Sequence, residues 1–545
     1  MSRQNYANLL PIEIWRECFM LLGVSEHKNL AKTCRFFHDV CLAFILKSIT
    51  LSFRIAFYKS STAEAMAIQL VKLIDDIGRF TEVAMSPQYA PLVRKCAIRY
   101  SLRLSTSLDE DIAKLAKETY EPFIQALVKC IPRFVNIREI EIDSEKNVDR
   151  RVLVVLATLP QVEKLSLTSV RFGVHQLKSQ IKVKKLLIEN LTSDVNPNKA
   201  AKRLELFSSE HLEELSVFSK AYAPKIFLAL TNRGPLKNLT NLSFELNGKD
   251  LDILYRFLAM CPNIESFQIS FGHTYDNMEP TAFPSLPRST IPFLQSFSGY
   301  ELAAKVFVPG RPVKKVSLIQ YKVWVERHFS DMEDIIPYLS QSTSPIIDLE
   351  FENMECTPDV MALLATRLPH LSRLKLGLNQ EKAFPEEDPR SIQLEVMRAN
   401  KLVSRQTGKA ASQSNDVMEP IDDHAAYMSL MHWTAHGRVV LPPSLETLRL
   451  TNQFSFPSFS MDSDSDSGSD SDDWGRHAKK KSKQQKPYTF AMAESILDTI
   501  SIQYPALQRL IVGRARQRKE WIRSANKKWK ILKPRGQFHF DYDSD

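Results

Sequence analysis

An apolar-x-x-apolar-x-apolar triplet recurs along this chain and limits what it can fold into. It reads Ile137/Ile140/Ile142, Val162/Leu165/Leu167, Val183/Leu186/Ile188, Leu212/Leu215/Val217, Leu239/Leu242/Phe244 and Ile264/Phe267/Ile269. It returns as Val313/Val316/Leu318, Ile346/Leu349/Phe351, Leu371/Leu374/Leu376, Leu445/Leu448/Leu450 and Leu507/Leu510/Val512. Leu294/Phe297 with Gly299 is a damaged copy, and Leu46/Ile49/Leu51 and Val93/Cys96/Ile98 are candidate early ones. The last two apolar positions stand two apart, which is strand spacing with both side chains on one face. Helical stretches lie between the copies, as at 149–159, 250–260, 359–368 and 491–504. Several stop at a proline (Pro160, Pro262, Pro369, Pro505), which forces the residue before it out of the helical region. Helix, proline and short strand, repeated, predict a solenoid of parallel strands backed by helices. At 545 residues the chain is too long for one compact core, and an array of this kind accommodates the length.

Spacing of roughly 20 to 33 residues between most copies resembles that of irregular leucine-rich repeats, although the asparagine typical of that family is mostly missing. An ordinary α/β domain with leucine-rich strands is the alternative. The period divides the chain into a lead at 1–8, a helical segment at 9–50, a linker with early irregular repeats at 51–130 and the main array at 131–378. A polar insertion at 379–441, a repeat strand at 442–452, a low-complexity loop at 453–487, a last repeat at 488–513 and a basic tail at 514–545 follow. The loop alternates Asp and Ser over 462–473 and then runs Lys479-Lys480-Lys481-Ser482-Lys483. It cannot bury enough apolar surface to offset its ordering entropy, which predicts disorder.

The segment 9–22 predicts a helix, with Pro11 suited to its first position and Gly23 to its stop. Its polar residues Glu13, Arg16 and Glu17 form one narrow stripe, and almost everything else is apolar. A second short helix is expected after Ser25, an effective N-cap, and a third over 34–46. Three short helices cannot bury so much apolar surface by themselves, so the excess must dock on something.

Leu10-Pro11-x-Glu13-Ile14-Trp15, Leu30, Thr33-Cys34-Arg35-x-Phe37-His38 and Ile49-Thr50-Leu51 together resemble the F-box of fungal F-box proteins. The acidic-Leu-Leu step that often opens the second helix of that motif is replaced by Glu26-His27-Lys28-Asn29. The resemblance implies an α/β chain built as a three-helix F-box followed by an irregular leucine-rich-repeat-like solenoid. It implies binding of the Skp adaptor, and through it a cullin, by Leu10, Pro11, Ile14, Trp15, Leu30, Cys34, Arg35 and Phe37. It also implies a non-catalytic subunit of a ubiquitin ligase that holds an unidentified target protein near the ubiquitin-charged enzyme. The alternative is a ligase-independent repeat scaffold or a nuclear protein-interaction protein, its helices only capping the solenoid.

Strand side chains that alternate with the buried triplets would face such a target. They begin acidic, at Glu139, Glu141 and Asp143, and become small and polar at Ser166, Ser216, Ser243, Ser266, Gln268, Ser270, Ser296 and Ser298. An acidic rung follows at Asp348, Glu350 and Glu352, and the last copies offer Arg373, Lys375, Arg449 and Arg509. The four cations are candidates for gripping an acidic or phosphorylated segment, because guanidinium forks match carboxylate and phosphate oxygens. The acidic run at 462–473 could fold back on them. Ser463, Ser467 and Ser469, each with Asp three residues on, are candidate phosphorylation sites that would strengthen such a latch.

The net charge of +9 gathers in the tail, at Arg514, Arg516, Arg518, Lys519, Arg523, Lys527, Lys528, Lys530, Lys533 and Arg535, which weakens any case for a nucleic-acid-binding fold. Trp521 and Trp529 interleave with that tail, and a C-terminal helix docking them on the last repeat is expected. Seven scattered cysteines without a Cys-x-x-Cys pair argue against a disulfide framework or a zinc site, and buried thiols in a reducing compartment, cytoplasmic or nuclear, are expected. No secretory leader or bilayer-length apolar run is legible. His432 and His436 have metal-ligand spacing but no convincing third ligand. No phosphate loop, nucleophile elbow or zincin motif occurs, so neither catalysis nor a cofactor is expected.

Overall fold

The computed structural model describes residues 10–57, 63–104, 110–144, 147–172, 177, 179–189, 206–219, 222–246, 250–270, 284–318, 332–354, 357–379, 430–431, 433–453, 490–513, 519–524, 526 and 528–532. The chain divides into two compact units, Met1–Leu294 and Gln295–Asp545.

The first unit opens with α1 (Ile12–Phe19), α2 (Val24–Ala31) and α3 (Arg35–Ile45), then continues with β1 (Ser48–Phe57), α4 (Ala63–Met85), β2 (Lys95–Leu104) and α5 (Glu110–Cys130). Next come β3 (Glu139–Ser144), β4 (Asn147–Val148), α6 (Arg150–Ala157), β5 (Lys164–Thr168), β6 (Arg171–Phe172), β7 (Lys185–Glu189) and β8 (Glu214–Phe218). The unit closes with α7 (Ala223–Thr231), β9 (Asn241–Glu245), α8 (Leu251–Ala259) and β10 (Ser266–Ser270). Its long strands run parallel in the order β1-β2-β3-β5-β7-β8-β9-β10, while β4 and β6 form a separate short pair.

The second unit holds β11 (Ser296–Gly299), α9 (Glu301–Phe307), β12 (Lys315–Leu318), α10 (Met332–Leu339), β13 (Asp348–Met354), α11 (Pro358–Arg367) and β14 (Arg373–Asn379). It ends with β15 (Thr447–Gln453), α12 (Phe490–Gln503), β16 (Arg509–Val512), β17 (Lys519–Arg523) and β18 (Trp529–Leu532). Strands β11 to β16 pair in parallel, and β16, β17 and β18 in antiparallel fashion.

The triplets are the strands. Ile140, Leu165, Leu186, Leu215, Leu242 and Phe267 align in register in the first unit, and Phe297, Val316, Leu349, Leu374, Leu448 and Leu510 do so in the second. None of these twelve is more than 3% exposed. Each contributes about 1.5–3 kcal/mol through burial, which only in-register stacking provides. The candidate early copies join the same array: Ile49 pairs with Cys96 and Cys96 with Ile140, as Leu51 does with Ile98 and Ile98 with Ile142.

A backbone device repeats at the strand entries. Two successive amide groups donate to one carbonyl of the preceding turn, which has two lone pairs to accept them. Arg94 and Lys95 bond to Lys47 O, Arg138 and Glu139 to Arg94 O, and Glu163 and Lys164 to Arg138 O. In the second unit Ser372 and Arg373 bond to Ile347 O, and Glu446 and Thr447 to Ser372 O. Asparagine side chains add a second tie. Asn136, Asn238 and Asn263 each stand just before a triplet and donate to a carbonyl of the previous turn, at Pro91 (2.8 Å), Glu210 (2.6 Å) and Lys237 (2.7 Å).

Helix ends follow the punctuation in the sequence. α6, α8, α11 and α12 stop before Pro160, Pro262, Pro369 and Pro505. Asp149 caps α6 by accepting the Arg151 amide, and Thr357 caps α11 by accepting that of Val360. At the other end of α9 a fully buried cation, Arg311, donates to the carbonyls of Val306, Phe307 and Pro309.

Four expectations are revised. The second helix starts at Val24 with Gly23 as an extended N-cap, so Ser25 lies inside it; Gly23 also leaves room for the Glu26 carboxylate, which folds back over the helix start. The end of the polar insertion belongs to the core: Leu430, Met431, Trp433, Val439 and Leu441 are buried, and Gln503 Nε2 donates to Ala435 O. The expected C-terminal helix is a β-hairpin. Trp521 pairs with Leu510, and Trp529 donates its indole N–H to Ser501 Oγ at 2.6 Å, so both indoles are buried against the last repeat from strands and not from a helix. Cys18 and Cys34 are exposed, while Cys41, Cys96, Cys130 and Cys261 are buried.

Candidate functional site

The helical module has two faces. Trp15, Phe19 and Leu22 stand four and three apart on α1 and its exit, and they turn inward. Phe19, Val40 and Cys41 form the centre, with Leu30, Ala31, Phe36, Phe37, Phe44 and Ile45 packed against it. Trp15 meets Phe37 edge-on at 5.0 Å between centroids, and Phe19 meets Phe37 at 5.4 Å. His27 is buried, lies flat on Phe44 at 4.8 Å and bonds through Nε2 to Phe19 O at 2.8 Å. Burial raises the Cys41 thiol above its ordinary range. The Glu26 carboxylate is held below the usual range, first by its own backbone amide and then by the Ser25 hydroxyl.

Apolar residues in and around α1 and at the start of α2 stay uncovered. Leu10, Ile12, Ile14, Met20, Leu21 and Val24 are all exposed, Leu21 to 79%. A helical module this small gains nothing from displaying so many apolar side chains to water, and exposed apolar surface of this kind marks an interaction surface.

The eight residues picked from the sequence therefore divide. Leu10, Pro11, Ile14 and Arg35 are exposed. Trp15, Leu30 and Phe37 serve the module's own core. Cys34 caps α3, its sulfur accepting the Phe37 amide at 3.5 Å. Met20, Leu21 and Val24, also exposed, were not among the eight, although the excess of apolar residues in the N-terminal helices was the signal that could have found them.

The strand side chains facing away from the buried triplets form rows across each unit. In the second unit one row reads Ser296, Lys315, Asp348, Arg373, Thr447, Arg509, Ile522, Lys530. The next reads Ser298, Ser317, Glu350, Lys375, Arg449, Ile511, Glu520, Leu532. Arg373, Lys375, Arg449 and Arg509 are thus brought together, and they stand among carboxylates. Arg373 pairs with Asp348 at 2.9 Å, Lys375 with Glu350, and Arg509 with Glu520 at 2.6 Å. In the first unit the corresponding face carries Lys95–Glu141 at 2.5 Å and Lys185–Glu214 at 2.7 Å.

Ser463, Ser467, Ser469 and His432 lie outside the described residues. Among the described residues no group of three or more His, Cys, Asp or Glu is placed to hold a metal ion, and no helix is long and apolar enough to cross a membrane.

A family model of the F-box domain matches residues 8–48, the stretch that folds into α1, α2 and α3. The match supports reading the chain as an F-box protein, and F-box domains serve generally in substrate recognition by ubiquitin ligases. No curated protein matches the chain.

Proposed function

We propose that this chain is the substrate-recognition subunit of a Skp–cullin–F-box ubiquitin ligase. The Skp adaptor docks on the helical module and links it to a cullin, while an array of leucine-rich-repeat type holds a target protein. The observation that carries this reading is the exposure of Leu10, Ile14, Met20, Leu21 and Val24 on a module matched by the F-box family. Covering several such side chains at about 1.5–3 kcal/mol each supplies the driving force for a stable complex. The receptor contributes binding energy and geometry, and the nucleophile comes from elsewhere in the ligase. Arg373, Lys375, Arg449 and Arg509 are the residues we assign to target contact, and Ser463, Ser467 and Ser469 are candidate sites for modulating it.

Co-expression with a Skp adaptor tests the adaptor step. The wild-type chain is expected to co-purify with it one to one. Ile14→Asp/Leu21→Asp, which alters only exposed positions, is expected to lose the adaptor while keeping its thermal melt. Failure of the wild-type chain to bind would favour a ligase-independent scaffold.

A further inference from the structure

The outer rows of the second unit carry an excess of positive charge. In the second unit six cations stand against three carboxylates, Asp348, Glu350 and Glu520. Each of those carboxylates is already held by a cation of the same rows, so the positive charge is in excess. In the first unit the rows of Lys95 and Arg99 are balanced: Lys95, Arg99, Lys164 and Lys185 stand with Glu139, Asp143, Glu189 and Glu214. The crowding is greatest where Lys375 and Arg449 stand in register on adjacent strands. Burial, and then the neighbouring Arg449 charge, lower the Lys375 ammonium below its ordinary range, although Glu350 pairs with it.

We propose that the outer face of β14, β15 and β16, centred on Lys375 and Arg449 and flanked by Arg373 and Arg509, binds a segment of the target protein rich in Asp and Glu. The ion pairs within the face show that carboxylates fit these cations, at 2.9 Å on Arg373 and 2.6 Å on Arg509. Strands lie about 4.8 Å apart, so a peptide laid across them meets a cation at successive strands. Guanidinium forks then select planar carboxylates. The inference rests on the receptor reading by giving the target its chemistry, but its test needs no ligase component, so either can fail alone.

The test is fluorescence anisotropy with a fluorescein-labelled oligoglutamate peptide and the full-length chain. Because the chain carries its own acidic run, a second form lacking 462–473 is measured beside it. At least one form is expected to bind, with affinity falling as salt rises. Lys375→Gln/Arg449→Gln is expected to weaken binding about tenfold or more, since close charge pairs at an interface contribute on that scale. Lys185→Gln in the first unit is expected to change nothing, and unchanged thermal melts establish that each variant is folded. No binding by either form overturns the proposal. So does equal binding by the double variant, or binding of a phosphoserine peptide alone.

Discussion

Arg151 closes both terminal nitrogens of its guanidinium on Glu121, at 2.6 and 2.9 Å, and so ties α6 to α5. The same guanidinium also reaches Asp149, the residue that caps α6. The Arg151 hydrogen bonds, followed by one from Gln125, hold the Glu121 carboxyl down at about 2, against an ordinary 4.5. A carboxyl depressed by folding stabilises the native state above its unfolded pKa, and the stabilisation is lost as pH falls through the folded one. Arg151→Met is therefore expected to melt below the wild type at neutral pH. The gap between the two should close as pH falls from about 4.5 towards 2. Thermal melts followed by circular dichroism across that range check it, and a pH-independent gap would refute the assignment.

The asparagine ties are expected to contribute independently. Asn136→Ala and Asn238→Ala each remove one neutral side-chain bond to a carbonyl of the previous turn, worth about 1 kcal/mol. The two ties share no partner, so the double substitution should cost the sum. Urea unfolding of the single and double variants measures this, and a double variant no worse than either single would contradict it.

Arg311 makes a sharper case. Replacing it with Met keeps much of its length but removes the donor to Val306, Phe307 and Pro309, leaving the end of α9 without it in a buried site. The expected loss is about 3 kcal/mol. Arg373→Met, half-exposed in the same unit, should cost under about 1 kcal/mol. Similar midpoints in denaturant for the two variants would show that the buried fork does not hold the helix end.

The strands were readable from sequence because strand period is local. Ile140 and Ile142 announce a buried strand face without reference to anything distant, and Pro262 announces the end of α8 in the same way. What depends on register was not readable. Lys375 looks like part of a bare basic patch until Glu350 is placed on the adjacent strand, and Arg449 joins it only after a long excursion of the chain. The asparagine ties were missed because only three of the triplets are preceded by one, and each acts on a carbonyl that carries no side-chain signature. At the N-terminus the motif residues were readable, but their division was not. Trp15 and Ile14 are neighbours, and one turns inward while the other faces water because a helix rotates about 100° per residue.

Strand β14 ends at Asn379 and β15 starts at Thr447, yet β15 lies against β14 in full register, with Arg373 beside Thr447 and Leu376 beside Leu450. Closing a loop becomes harder only as the logarithm of its length, about 0.6 kcal/mol for each doubling. Sequence inserted between Asn379 and Leu430 can therefore lengthen or shorten considerably over generations while the flanking strands hardly register the change, whereas Leu430 to Leu441 belong to the core. Such a junction is a port at which new sequence can be tried without wagering the fold, and a foreign domain spliced in there should leave the host standing.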